Sequence, residues 1–236
     1  MMRNSEQNKT LNHSMHHSYS NRLGILKDFL KKIPFLFHFF KSLYIFLLHL
    51  ISKNRWKKIL QSNEIKLNLG SGNTKGKNGW INVDISGADI NHDLTKGVPL
   101  DDNTVDAVYS SHVFEHIPYR ELLKVIKEIN RVLKPGGKLL VCVPNAGLYL
   151  RAYFNNEMFL DYDEMYIPAK VNTNSKIDQL NYIAYLNGDH TFMFDEENII
   201  NIIKKCDFKD VEFRDFDPEI DLKERDFESM YVKAFK

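Results

Sequence analysis

Cysteine is nearly absent from this chain: 236 residues contain only Cys142 and Cys206. Two thiols make neither a disulfide framework nor a metal-ligand spacing. Cys142 sits in an apolar, strand-like run, where an inert core thiol is the ordinary reading, and a reducing compartment fits. Charge of one sign is lacking too. The 32 basic residues against 31 acidic ones leave a formal charge of +1, which argues against bulk binding of nucleic acid. No small-residue cleavage site follows the apolar segment near the N-terminus, so that segment is not read as a secretory signal. No metal constellation stands out. Asp161, Asp163 and Glu164 form an acidic run that reads as solvated surface, and His13, His16 and His17 read as part of a solvated tail. What remains is a hydrophobic fraction of 43%, enough for a sizeable core in one catalytic domain with an appendage.

Composition divides the chain. Residues 1–21 are rich in Asn, Ser and His and read as a disordered tail. Residues 22–62 form an extension whose centre, Ile33–Ile51, is unusually apolar. As a helix this stretch measures about 28 Å, close to a bilayer core. On a helical wheel His38, Lys41, Ser42 and His49 share one narrow stripe. Lys41 at mid-bilayer would be costly, so a simple span is disfavoured. Basic residues at both ends suit a helix in a membrane interface. Packing on the domain or on a second copy of the chain is the equal alternative. Pro34 suits the helix's first turn.

From residue 63 onward apolar runs and helical periods alternate. Ile65–Leu69, Trp80–Val83, Val105–Ser110 and Lys138–Val143 read as strands, and Val211–Phe213 and Met230–Ala234 as closing strands. Leu122, Val125, Ile126, Ile129, Val132 and Leu133 recur at helical spacing within Tyr119–Leu133. Pro118 is placed to begin that helix, and Lys134-Pro135-Gly136-Gly137 to end it. Glu196–Cys206 reads as a late helix. The alternation predicts a doubly wound α/β sheet with ligands at the carboxyl ends of its strands.

The candidate ligand groups fall at those ends. The first strand stops at Gly70-Ser71-Gly72, where backbone can approach a ligand. The second ends on Asp84, an acceptor for ribose hydroxyls. Asp93 and Leu94 follow a short third segment, and Ser111 and His112 follow Val105–Ser110. Eleven residues separate Gly72 from Asp84, whereas dinucleotide sites place the acid about 20 residues on. The first crossover is therefore expected to be a loop, Asn73–Asn78, without a helix N-terminus for a pyrophosphate. This disfavours an NAD-type dehydrogenase and favours a phosphate-free ligand.

These residues resemble a known family. Leu67-Asn68-Leu69-Gly70-Ser71-Gly72, Gly79-Trp80-Ile81-Asn82-Val83-Asp84, His92-Asp93-Leu94, Ser110 to Ile117 with its Glu115-His116, Arg131 to Gly137, and Gly188-Asp189-His190-Thr191 are similar to class I S-adenosylmethionine-dependent methyltransferases. The nearest resemblance is to a small bacterial group associated with glycan and surface-polysaccharide biosynthesis. It implies a mostly parallel, seven-stranded Rossmann-like sheet and S-adenosyl-L-methionine as cofactor. It also implies roles: Gly70, Ser71 and Gly72 beside the methionine portion, Asp84 on the ribose, Asp93 and Leu94 flanking the adenine, Ser111 and His112 lining the pocket. A turn residue or a helix cap is the plain alternative for Asp84 and Asp93.

Methyl transfer needs a nucleophile placed in line with the methyl group and, for a hydroxyl acceptor, a base. His112, His190 and His116 are the candidates, each with capping or packing as its alternative. The long segment 146–187 carries Tyr149, Tyr153, Phe154, Phe159, Tyr162, Tyr166, Tyr182 and Tyr185. A connection of that length suggests a lid or acceptor site. The expected activity is O-methylation of a saccharide or lipid-linked glycan at the inner face of the cytoplasmic membrane. A small-molecule or lipid acceptor, or a non-catalytic relative acting as an assembly partner, stays open.

Overall fold

The computed structural model describes residues 34–72 and 79–236. The tail 1–21 and the loop 73–78 lie outside the described residues. Seven strands form one sheet: β1 Lys66–Leu69, β2 Trp80–Asp84, β3 Ile90–Asn91, β4 Val105–Ser111, β5 Leu133–Pro144, β6 Lys209–Phe213 and β7 Ser229–Phe235. Their order is β3-β2-β1-β4-β5-β7-β6. Neighbours from β3 through β5 pair in parallel, and β7 runs antiparallel between β5 and β6. This is the doubly wound sheet that the alternation predicts, mostly parallel, seven-stranded and Rossmann-like as the resemblance implies.

Among the described residues five α-helices accompany it: α1 Pro34–Ile59, α2 Tyr119–Val132, α3 Ala146–Phe154, α4 Ile177–Tyr185 and α5 Glu196–Lys205. α2 forms where expected because its apolar residues share one face. Leu122, Val125, Ile126, Ile129 and Val132 are all buried, and Pro118 stands at the N-cap. Its end differs in detail. Leu133 is already the first residue of β5, and pairing with β4 jumps from Val105–Leu133 to Ala107–Lys138. Residues 134–137 therefore bulge from the start of a strand instead of forming a free loop. α5 begins at a capping box: Asp195 accepts from the amides of Glu197 and Asn198, and the Asn198 side chain accepts from the Asp195 amide.

The central strands carry the core. Leu67, Leu69, Val105, Val108, Leu139, Val141 and Val143 are buried with the inner faces of α2 and α5. A second, smaller core lies within residues 146–186, where Tyr149, Leu160, Met165, Tyr182 and Ile183 pack together.

The chain divides into two units, with the boundary between Leu47 and Leu48 inside α1. In the first unit Phe39, Phe40, Leu43 and Leu47 are exposed. In the second, Ser52 accepts from the Asn91 amide at 2.9 Å, and the buried Trp56 ring meets His92 edge-on. No helix among the described residues is long and apolar enough to cross a membrane.

Candidate active site

The glycine turn closes directly against the end of β2. The Gly70 amide donates to the Val83 carbonyl at 2.7 Å. Gly70 has φ +72°, and a Cβ on it would stand 2.2 Å from a Val113 methyl, so both backbone and space require glycine. Gly72, at φ +62°, has no described residue within 4 Å of where a Cβ would stand. Its amide donates to Asp84 Oδ2 at 2.8 Å, and the Ile85 amide donates to Oδ1 at 2.6 Å. Two of the carboxylate's roughly four lone-pair positions are thus used to fix it, leaving the others for a ligand. A fixed acceptor beside a side-chain-free turn, at the carboxyl ends of β1 and β2, suits a ribose at the point where such sheets bind nucleosides.

Asp93 is an N-cap. Its carboxylate accepts from the Thr95 amide at 3.0 Å and the Thr95 hydroxyl at 2.7 Å, which opens the short turn Leu94–Lys96. Leu94 is buried in the main core. Ser111 ends β4 beside Cys142 of β5.

His112 follows at φ +53°, a left-handed conformation that a non-glycine residue adopts only where its surroundings hold it there. The ring reaches the end of β7, where Nε2 lies 2.8 Å from Ser229 Oγ. The Ser229 hydroxyl itself donates to the Arg225 carbonyl at 2.6 Å, so it accepts from His112 Nε2–H. Nδ1 is left without a proton and faces Glu115 Oε1 at 3.6 Å. Burial, with the positive Arg225 and the neighbouring imidazoles, pushes the His112 pKa down to about 3. His112 is therefore a neutral, oriented imidazole at neutral pH.

Glu115 is the residue that sequence reading undervalued. It appears there only as half of a Glu-His motif, yet its side chain is 2% exposed and neither carboxylate oxygen has a hydrogen-bond partner. Burial pushes its pKa up to about 8. His116 and His190 flank it. His116 Nδ1 donates to the Asp189 carbonyl at 2.9 Å, and His190 Nδ1 to the Ile183 carbonyl at 2.7 Å. The two rings meet at 5.0 Å between centroids. Burial lowers the His190 pKa. The structure thus brings the three candidate histidines together around one carboxylate, and Asp93 caps the turn Leu94–Lys96.

The aromatic residues of the insertion divide. Tyr149 and Tyr182 are core, and the Tyr149 hydroxyl donates to the half-buried Glu228. Phe154, Tyr166 and Tyr185 are exposed.

Comparison with known proteins follows this geometry. Residues 67–141 match the methyltransferase domain family. The matched stretch carries the glycine turn, Asp84, His112, Glu115 and His116, but not His190. The chain is also similar in part to two curated proteins. An uncharacterized protein of Methanocaldococcus jannaschii is 36% identical over 74 residues, 31% of this chain and 30% of that protein. A sterol 4-C-methyltransferase of Caenorhabditis elegans is 50% identical over 44 residues, 19% of this chain and 13% of that protein. The chain thus spans less than a third of the length of these relatives. Among solved structures, an S-adenosylmethionine-dependent methyltransferase from Archaeoglobus fulgidus aligns with TM-score 0.45 and 15% identity over 80% of this chain and 94% of the other. Haemonchus contortus phosphoethanolamine N-methyltransferase 2 with S-adenosyl-L-methionine aligns with TM-score 0.46 and 18% identity over 78% and 52%. S-adenosylmethionine is the cofactor that a methyltransferase domain on this Rossmann-like sheet implies. The side-chain-free Gly72 and the partly free Asp84 carboxylate fit it.

Proposed function

We propose that this protein methylates a hydroxyl of a saccharide or lipid-linked glycan, using S-adenosylmethionine, at the cytoplasmic membrane face of a bacterial cell. The observation that carries the nucleoside end of the reading is the Asp84 carboxylate, fixed by two amides across the Gly70–Gly72 turn. Asp84 binds the ribose hydroxyls. Gly70, Ser71 and Gly72 border the methionine portion, Leu94 flanks the adenine from β3's end, and Ser111 and His112 wall the pocket at β4. When bound, the cofactor supplies an electrophilic methyl group on a sulfonium.

The acceptor end lies beyond His112. Most of the chain's contribution there is orientation. Neutral His112 offers shape and a fixed dipole, since burial leaves it weakly basic. A lone pair of Glu115, His116 or His190 accepts the proton of the acceptor hydroxyl as its oxygen bonds to the methyl carbon and the carbon–sulfur bond breaks. The exposed aromatics Phe154, Tyr166 and Tyr185 of the insertion are suited to stacking on sugar rings. A lipid acceptor is the second reading, favoured by the exposed Phe39, Phe40, Leu43 and Leu47 of α1.

Thermal unfolding with S-adenosylhomocysteine tests the cofactor assignment. At about 100 times its dissociation constant the ligand adds roughly 2.7 kcal/mol, which raises the midpoint by roughly 5–10 °C in a chain of this size. The rise is expected to vanish in Asp84→Ala. A folded wild type without any rise refutes the proposal. A panel of saccharide, glycolipid and lipid acceptors, scored by methyl incorporation, then separates the two readings.

A further inference from the structure

Four polar side chains, Glu115, His112, His116 and His190, cluster in this fold, and with Glu115 ionised no donor stands among them. Glu115 lies on the short turn Phe114–His116, just after β4. The strand-like segment after His190 is pinned to that turn: the Thr191 and Phe192 amides both donate to the Glu115 carbonyl, at 2.8 and 3.1 Å. His190 and His116 each spend their Nδ1 proton on a backbone carbonyl. In a neutral imidazole that leaves Nε2 as a bare lone pair. His116 Nε2 lies 3.8 Å from Glu115 Oε1, and His112 Nδ1, also bare, lies 3.6 Å from the same oxygen. The Glu115 carboxylate is 2% exposed and makes no hydrogen bond with either oxygen.

Such an arrangement is unfavourable by itself, because converging lone pairs repel and a buried carboxylate lacks its solvent. A cation reverses the sign of every one of these contacts. The two histidines already have the support that metal-ligating histidines carry: a backbone carbonyl on the far ring nitrogen, which fixes the tautomer and the ring direction. One ligand atom from each of Glu115, His116 and His190 lies within 4.8 Å of the others. Two donors on one zinc ion stand at most about 4.4 Å apart, twice a bond length, so side-chain shifts of a few tenths of an ångström complete the set.

We infer that Glu115, His116 and His190 bind a divalent transition-metal ion of the zinc class, with at least one coordination position left open. Two imidazole nitrogens and one carboxylate oxygen suit zinc, cobalt or ferrous iron and do not suit magnesium or calcium, which take oxygen ligands. His112 borders both this cluster and the wall of the cofactor pocket. An acceptor oxygen in the open position is thereby acidified and held beside the methyl group. That last role rests on the methyl-transfer reading; the binding of the ion does not.

Cobalt(II) serves as the probe, because its visible absorption reports coordination directly. The full chain carries His13, His16 and His17 near its N-terminus, so all three are changed to Ala to silence adventitious binding. The protein is stripped with a chelator and titrated with cobalt. One equivalent is expected to bind, to be displaced by zinc, and to resist a hundredfold excess of magnesium. His116→Ala and His190→Gln are each expected to weaken cobalt binding at least tenfold. His116 is 39% exposed, so its variant tests the ligand without disturbing the core, and an unchanged circular dichroism melt checks this. No cobalt band in the folded protein, or equal bands in wild type and His116→Ala, overturns the inference. Cobalt binding without any S-adenosylhomocysteine stabilisation leaves the metal site standing and removes the methyl-transfer reading.

Discussion

Removal of the Asp221 carboxylate should be among the most damaging single changes in the chain. The segment between β6 and β7 folds back onto the sheet through this residue. Arg214 donates to it twice, at 2.6 and 2.8 Å. The Asp217 amide adds a third bond at 2.7 Å, and the Tyr109 hydroxyl of β4 a fourth at 3.0 Å. The Asp221 side chain is fully buried and Arg214 is 11% exposed. The guanidinium also covers the Tyr231 ring at 4.9 Å. In Asp221→Ala the guanidinium stays buried without its counter-charge, and Tyr109 and the Asp217 amide lose their acceptor. Breaking one side of a buried pair costs about 3–5 kcal/mol. At about 2–4 °C per kcal/mol for a chain of this length, the midpoint falls by roughly 6–20 °C. Urea unfolding at pH 7 measures the free energy directly. The double replacement Arg214→Met with Asp221→Leu removes both charges and should recover most of the loss. A loss under about 1 kcal/mol in Asp221→Ala, or a double variant as unstable as the single one, refutes the reasoning.

Three further outcomes are expected. Gly70→Ala puts a Cβ 2.2 Å from a Val113 methyl at φ +72°, and should cost roughly 2–5 kcal/mol in urea unfolding from overpacking plus backbone strain; stability within 1 kcal/mol of wild type would show that Val113 moves aside. The Asn145 amide, with Arg151, holds the Glu196 carboxyl below the usual carboxylate range. A depressed carboxyl stabilises above its unfolded pKa of about 4.3, and that contribution is lost as pH falls through the folded value. Glu196→Gln should therefore be less stable than wild type at pH 7 by up to about 1 kcal/mol, screened by its exposure, and equal to it at pH 3; a gap of the same size at both pH values contradicts the assignment. Replacing Phe39, Phe40 and Leu43 by Ser leaves stability within about 0.5 kcal/mol, since all three are exposed, and should abolish co-sedimentation with anionic vesicles. Unchanged sedimentation removes the membrane reading of α1.

The strands, the glycine turn and α2 were legible because each rests on a local cause. Alternating burial, a positive φ and a 3.6-residue period are all written within a dozen residues. The order of the last two strands has no such local mark. Val211–Phe213 and Met230–Ala234 look alike as apolar runs, and only the pairing of β7 with β5 along seven residues sets β7 inside and β6 at the edge. Lys134–Gly137 read as a stop because proline and glycine end helices. Here the helix ends one residue earlier, and the same residues become a bulge in a strand that begins at once. Asp93 read as ligand or cap; its two bonds to Thr95 supply the cap, and its place beside the adenine stays a proposal.

The histidine cluster was hidden for a different reason. Thr191 stands 76 residues beyond Glu115, and no spacing rule links a turn after β4 to a segment before α5. In the sequence Glu115 resembles a solvated turn residue, because glutamate is almost never fully buried without a partner. The fold buries it anyway, among imidazoles whose protons are committed elsewhere. A sequence shows which side chains can carry charge, but not which of them the fold will deprive of water. That deprivation marks functional groups, since a buried carboxylate without a hydrogen bond costs stability that the rest of the fold must offset. Glu115 is buried in that state and, uniquely among the described buried carboxylates, has neither oxygen hydrogen-bonded. The weight of the functional argument at the acceptor end therefore falls on a residue whose importance only three-dimensional placement reveals.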